Sequence, residues 1–201
     1  MIPRDELTGL ILAGGRGQRM GGCDKGLVAF RGRPLAGHAA EVLREHVGEL
    51  LIVANRHQQA YASLADRVIG DVETDYQGPL MGLYSGLRAA RGRWLVVVPC
   101  DVPTLPANLV ARLAEAVGDA DIGVAHDGHR SHPVVALLRV TLAADLAHCL
   151  AQGERKLDTW QARHRRVQVD FSDCPAAFVN LNTQAERLRL ERALDEEPPT
   201  S

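Results

Sequence analysis

Apolar residues in this chain come in short runs separated by polar, glycine-rich connections. The run from Thr8 to Ala13, centred on Leu10-Ile11-Leu12, is unbroken, as expected for a strand covered on both faces. Further strand-like runs are Leu50–Ala54, Arg67–Ile69, Trp94–Val98, Asp121–Ala125 and Pro133–Leu138. Val167 to Phe171 alternates, the signature of a half-buried strand. Leu27 to Phe30 reads as a short strand closed by an Arg31-Gly32-Arg33 turn. Asp127-Gly128, with strand candidates on both sides, suggests a hairpin.

Helical periodicity fills the gaps. Leu35, Ala39, Val42 and Leu43 share one face of a helix predicted over Leu35–His46, with Pro34 at its start. Other helices are expected at Gln58–Leu64, after the loop Thr74–Gly82 and reaching Ala90 with Gly92 as C-cap, and at Thr104–Val117 with Pro106 in the first turn. The last three are predicted at Leu142–Ala151, Arg155–Ala162 and Thr183–Leu194. Thr183 and Glu186 have capping-box spacing. Strands alternating with helices imply a three-layer α/β fold with a mostly parallel, mixed sheet. We expect residues 1–195 to form one domain and 196–201 an acidic, disordered tail.

Ligands of such sheets sit beyond the carboxyl ends of the strands. That rule singles out Gly14, Gly15, Asn55, Asp71 and Asp101. The first strand runs into Gly14-Gly15-Arg16-Gly17-Gln18-Arg19-Met20-Gly21-Gly22-Cys23-Asp24-Lys25, with five glycines, two arginines and a lysine. Backbone N–H groups freed of Cβ atoms, beside cations, suit a polyphosphate. Two familiar loops are excluded. A dinucleotide fingerprint starting at Gly15 and Gly17 would need glycine where Met20 stands, and Lys25 is followed by Gly26, not the Ser or Thr of a P-loop.

Composition narrows the class. The 201 residues are 46% hydrophobic and 24% charged, with a formal net charge of -2. That balance argues against a nucleic-acid binder. No run approaches the roughly 18 apolar residues of a membrane span. Cys23, Cys100, Cys149 and Cys174 form no C-x-x-C pair, so reduced thiols and a cytoplasmic location are expected.

Each candidate has competing readings. Asp101, at the end of an apolar strand, would hold Mg2+ beside phosphates, cap the following helix, or pair with a cation. The first is favoured because Lys25 and the glycine loop share its crevice. Lys25 and Arg19 would neutralise phosphate charge, or remain solvated. Asp71 would face a ribose or Mg2+, or serve its turn. The stretch from His126 to His132 has zinc-like histidines but a turn signal in place of a ligand framework, so a polar loop lining a second substrate is the better reading. Cys100 reads as a buried structural thiol.

Leu12-Ala13-Gly14-Gly15-x-Gly17-x-Arg19-Met20-Gly21-Gly22-x-Asp24-Lys25-Gly26 resembles the nucleotidyltransferase signature, most closely that of the molybdenum cofactor guanylyltransferases (MobA family). Collinear matches are Ala54-Asn55-Arg56-His57-Gln58, Gly78-Pro79-Leu80-x-Gly82, Pro99-Cys100-Asp101-x-Pro103, His126-Asp127-Gly128, His132-Pro133, Gly153-Glu154-Arg155 and Phe178-Val179-Asn180-x-Asn182-Thr183. The resemblance implies a Rossmann-like fold and transfer of GMP from GTP to molybdopterin-bound molybdenum, releasing pyrophosphate. It implies GTP contacts at Leu12, Ala13, Gly14, Gly15, Lys25, Asp71, Gly78, Gly82 and Asp101. Catalytic roles would fall to Lys25, Asp101 and Arg19, and Asp101 would ligate Mg2+. Arg155, Asn180 and Asn182 would face the pterin. A monomer is expected, with transient docking to molybdopterin-supplying proteins and acceptor molybdoenzymes.

One position departs from the pattern. Relatives can carry asparagine where this chain has Val53, so no nucleotide contact is assigned there. Branches that use CTP tend to have Leu-Ala-Ala-Gly in place of Leu12-Ala13-Gly14-Gly15, and the smaller Gly14 leaves room for a purine. A sugar-phosphate nucleotidyltransferase is the other reading of the first motif.

Overall fold

The computed structural model describes residues 2–13, 24–73 and 78–196. In chain order its strands are β1 (Leu7–Leu12), β2 (Ala29–Phe30), β3 (Arg33–Pro34), β4 (Glu49–Val53), β5 (Arg67–Ile69), β6 (Trp94–Pro99), β7 (Ile122–His126), β8 (Ser131–Arg139) and β9 (Arg166–Asp170). Its helices are α1 (Leu35–Arg44), α2 (Gln58–Tyr61), α3 (Pro79–Ala89), α4 (Leu109–Ala116), α5 (Ala143–Ala151), α6 (Leu157–Gln161) and α7 (Gln184–Glu196).

Seven strands form one sheet in the order β5-β4-β1-β6-β8-β7-β9, while β2 and β3 make a separate small ribbon. Within the large sheet only β8 runs against its neighbours. It reaches its place through the Asp127-Gly128 turn, where Gly128 has φ 90°. The first crossover from β1 goes to β4 on one side, and the chain later returns to β6 on the other. β1 is therefore where the strand order reverses, the place at whose carboxyl end such sheets bind ligands.

Alternate residues of each strand feed two cores, as the period of two requires. Ile11, Ile52, Val96, Val98 and Leu137 pack with α1 and α4 on one face. Leu10, Leu51, Val53, Leu95 and Val97 pack with α3, α5 and α6 on the other. The apolar runs lack polar alternation because both faces are covered. The fold class expected from the sequence is the one observed.

Three local expectations are corrected. The fourth helix begins at Leu109, not Thr104, because Pro103 and Pro106 cannot donate and bias the residues before them away from helix. Helix α2 stops at Tyr61 and tightens into i→i+3 turns, with Leu64 N–H on the Tyr61 carbonyl. Gly92 does not cap α3, which ends at Ala89 with Ala90 as its C-cap. It lies against the Glu6 backbone, where a Cβ would collide, and its N–H donates to Thr8 Oγ1 at 3.0 Å.

The C-terminal segment folds back over the ribbon. Phe30, Leu35 and Leu181 form a third cluster with Val28, Leu190 and Leu194. Arg187 donates to the Ala29 carbonyl at 2.9 Å. The capping box forms: Glu186 N–H donates to Thr183 Oγ1 at 3.1 Å, and Glu186 Oε2 accepts from Thr183 N–H at 2.8 Å.

Candidate active site

Four parallel strands end side by side at Ala13, Ala54-Asn55, Gly70-Asp71 and Cys100-Asp101. Ala13 N–H extends the ladder to the Val53 carbonyl at 3.0 Å, and Cys100 N–H reaches the Leu12 carbonyl at 3.1 Å. These bonds fix where the polar residues beyond them stand.

Asn55 and Asp71 clasp each other. Asn55 Nδ2 donates to Asp71 Oδ2 at 2.6 Å, and Asp71 N–H donates to Asn55 Oδ1 at 2.8 Å. Asp71 Oδ1 is buried and has no hydrogen-bond partner among the described residues. Burial raises the Asp71 pKa, partly opposed by the Asn55 bond. An unmatched buried acceptor costs about 1–3 kcal/mol, which a ligand N–H or O–H would recover. Val53, at the end of β4, is buried.

The first turn of α3 roofs the same crevice. Gly78 has φ 149°, and Pro79 follows at the first helical position. A Cβ on Gly82 would stand 3.0 Å from Leu12 Cδ2 and 3.8 Å from Asp71 Oδ1. Glycine there leaves that space open.

Lys25 lies in a 3-10 turn (Lys25–Leu27) that precedes β2. Its Nζ is 2.5 Å from Asp101 Oδ2 and 2.7 Å from Asn182 Oδ1. Asn180 Nδ2 donates to both Asp101 oxygens, at 3.2 and 3.3 Å. Leu181 N–H donates to the Asp101 carbonyl at 2.9 Å. Asn180 and Asn182, assigned to the pterin from the sequence, thus stand in the Lys25–Asp101 group. Their i, i+2 spacing on an extended segment puts both on one side, a signal present in the sequence. Burial and the nearby Asp101 push the Cys100 thiol up to about 12, as for a buried structural thiol.

Other described residues singled out by the sequence make further contacts. Arg155 lies after α5, where its Nη1 donates to the Glu154 carbonyl at 2.8 Å and the Leu150 carbonyl at 3.4 Å. Gly14, Gly15 and Arg19 lie outside the described residues. The His126 loop satisfies itself: Asp127 Oδ1 accepts from His129 and Arg130 N–H, and Asp127 Oδ2 meets His132 Nε2 at 2.7 Å. His132 stacks on Phe178 at 4.8 Å, two residues before Asn180. Among the described residues no cluster of three or more His, Cys, Asp or Glu gathers to hold a metal.

Asp101 nevertheless fits magnesium. It offers hard carboxylate oxygens held by Lys25 and Asn180, and Mg2+ typically takes one or two carboxylates with phosphate oxygens and water completing the shell. The surrounding arrangement of one carboxylate, one ammonium and an unfilled buried acceptor suits a nucleotide carrying phosphates.

Residues 9–167 match the family described as MobA-like NTP transferase domain. The chain belongs to that family. It is an enzyme of the nucleotidyltransferase class. Among relatives of this MobA-like chain, the molybdenum cofactor guanylyltransferase of Shewanella halifaxensis is 44% identical over 194 residues, 96% of this chain and 97% of the relative. That of Shewanella amazonensis is 46% identical over 190 residues, 94% and 97% of the two chains. The crystal structure of molybdopterin-guanine dinucleotide biosynthesis protein A from Archaeoglobus fulgidus shares the fold, with a TM-score of 0.76 at 22% identity, covering 94% of this chain and all of that one. No helix among the described residues is long and apolar enough to cross a membrane.

Proposed function

We propose that this MobA-like enzyme is a molybdenum cofactor guanylyltransferase. It transfers GMP from GTP to the molybdenum–molybdopterin cofactor and releases pyrophosphate. The observation that carries the reading is the Lys25–Asp101 pair at the end of β1 and β6, bracketed by Asn180 and Asn182, in a chain over 40% identical along its length to relatives of that name.

The reaction makes one bond and breaks one. A phosphate oxygen of the pterin attacks the α-phosphorus of GTP in line, and the bond to the β-phosphate bridging oxygen breaks. Its electron pair leaves with pyrophosphate. No covalent enzyme intermediate is needed, so positioning and charge neutralisation supply the catalysis. Lys25 places an ammonium where negative charge accumulates. Asp71, held by Asn55, offers its unfilled oxygen to the nucleoside. Leu12, Ala13 and Gly14 lie along the base and ribose, Gly15 and Gly78 contact the nucleotide, and Gly82 leaves space open beside Leu12 and Asp71. Arg19 joins Lys25 on the phosphates, and Arg155 serves the pterin side. Asp101 would hold Mg2+, which when bound polarises phosphate oxygens.

Product analysis tests the reading. Enzyme with Mg2+, molybdenum–molybdopterin and each of GTP, CTP and ATP should yield the guanine dinucleotide with GTP and lose activity on chelation. Equal turnover of CTP overturns the guanine assignment. A nucleotide sugar formed from a sugar 1-phosphate overturns the pterin.

A further inference from the structure

Lys25 carries a long, flexible side chain, yet the turn beneath it is held by a network that the reaction itself does not use. Asp24 precedes Lys25 and accepts from every side. Its Oδ1 takes the Gly26 N–H at 3.2 Å, closing the turn around Lys25. The Tyr61 hydroxyl donates to the same oxygen. His57 Nδ1 lies 3.2 Å from Asp24 Oδ2.

Both donors come from α2 and its entry. Tyr61 is fully buried, at 0% exposure, whereas the Asp24 side chain is 11% exposed. His57 sits in the left-handed region at φ 50°, ψ 31°, a conformation that costs energy for a residue with a Cβ. Gly26 has no side chain where Tyr61 passes, and a Cβ there would strike the hydroxyl. Burial, then the Asp24 hydrogen bond, raise the Tyr61 pKa far above its ordinary value, so the phenol stays a donor.

We propose that Tyr61 is a positioning residue for Lys25, acting through the Asp24 carboxylate. The hydroxyl and the Gly26 N–H converge on one oxygen, and this fixes the backbone from which Lys25 projects toward Asp101 and Asn182. Without the hydroxyl, the contacts left to Asp24 among the described residues are the short-range turn bond and the half-exposed imidazole. Lys25 then samples positions away from the phosphates. Tyr61 touches no reacting atom in this scheme. The inference rests on Lys25 being the phosphate cation of the proposed reaction.

A double-mutant cycle tests it, with steady-state kinetics on Tyr61→Phe, Lys25→Ala and the pair. Tyr61→Phe keeps the buried ring and should lower kcat about tenfold with the nucleotide KM changed less than about threefold. In the Lys25→Ala background the same change should cost less than about twofold, since residues acting as one unit are non-additive. Asp24→Asn keeps an acceptor and should be milder than Asp24→Ala; it replaces Tyr61→Phe in the cycle if that variant does not fold. An undiminished tenfold loss in the Lys25→Ala background overturns the proposal, as does a Tyr61→Phe enzyme with wild-type kcat. Full activity of Lys25→Ala overturns both the role of Lys25 and this inference. A wild type that uses CTP in place of GTP overturns only the base assignment, and the cycle run on CTP still decides on Tyr61.

Discussion

Leu181 donates its backbone N–H to the Asp101 carbonyl at 2.9 Å. This bond joins the end of β6 to a segment some 80 positions later, and it sets one asparagine on each side of the junction. Asn180 turns to Asp101, and Asn182 to Lys25. Glu186 Oε2, accepting from Asn182 N–H at 2.7 Å, ties the segment to the first turn of α7.

Asn180→Asp puts a carboxylate where an amide donated, against a second carboxylate. We expect kcat to fall about hundredfold, and Asn182→Ala to lower it about tenfold. Steady-state kinetics on both substrates check this. A rise in the molybdopterin KM with kcat unchanged would instead make the asparagines pterin contacts.

Asp101→Asn removes the charge facing Lys25 and the favoured magnesium ligand while keeping the shape. Turnover should drop about hundredfold, corresponding to about 3 kcal/mol of transition-state stabilisation. Titrating Mg2+ should show the apparent metal affinity weakened in the variant. Wild-type turnover would remove Asp101 from the mechanism.

The Asp127 turn gives a pH prediction. The Arg130 N–H bond, then the bonds from His132 and His129, hold the Asp127 carboxyl below its ordinary value of 3.8. A depressed carboxyl stabilises the folded chain fully above the unfolded value, and this stability is lost as the pH falls below it toward the folded value. Denaturant midpoints of wild type and Asp127→Asn should differ by a constant amount above pH 5 and converge below about pH 3.8. A gap that stays constant down to pH 2.5 would show that the bonds in this turn are insensitive to charge.

Two glycines of α3 should separate stability from binding. A Cβ on Gly86 would strike the Leu10 side chain, which is fully buried. Gly86→Ala should cost about 1–3 kcal/mol by overpacking, visible as a lower urea midpoint. For Gly82→Ala the nearest atoms are the side-chain ends of Leu12, Val53 and Asp71, at 3.0, 3.7 and 3.8 Å. It should be folded yet raise the nucleotide KM several-fold. Equal losses of stability in the two would contradict this.

Most of the fold could be read from the chain because both faces of the sheet are covered. Runs such as Trp94 to Val98 have no polar residue to mislead, and the turn at Asp127-Gly128 announces the reversed strand. Prolines spoiled the start of α4, since periodicity does not register a missing donor. The strand-end rule located Asn55, Asp71 and Asp101 together. It could not show that Asn55 is committed to Asp71, nor that Asn180 and Asn182 face Lys25 and Asp101. Those pairings join positions far apart in sequence, and only packing brings them into contact. Tyr61 gave no signal of its own, for a buried aromatic on a short helix looks like ordinary core.

The reach of Leu181 back to Asp101 also orders events during synthesis. Every strand from β1 to β9 precedes residue 180, so the sheet can assemble before its asparagines leave the ribosome. A nascent chain halted there would have the sheet's strands and an unfinished Lys25–Asp101 group. Competence at the proposed site would therefore wait until the segment carrying Asn180 and Asn182 has joined the sheet.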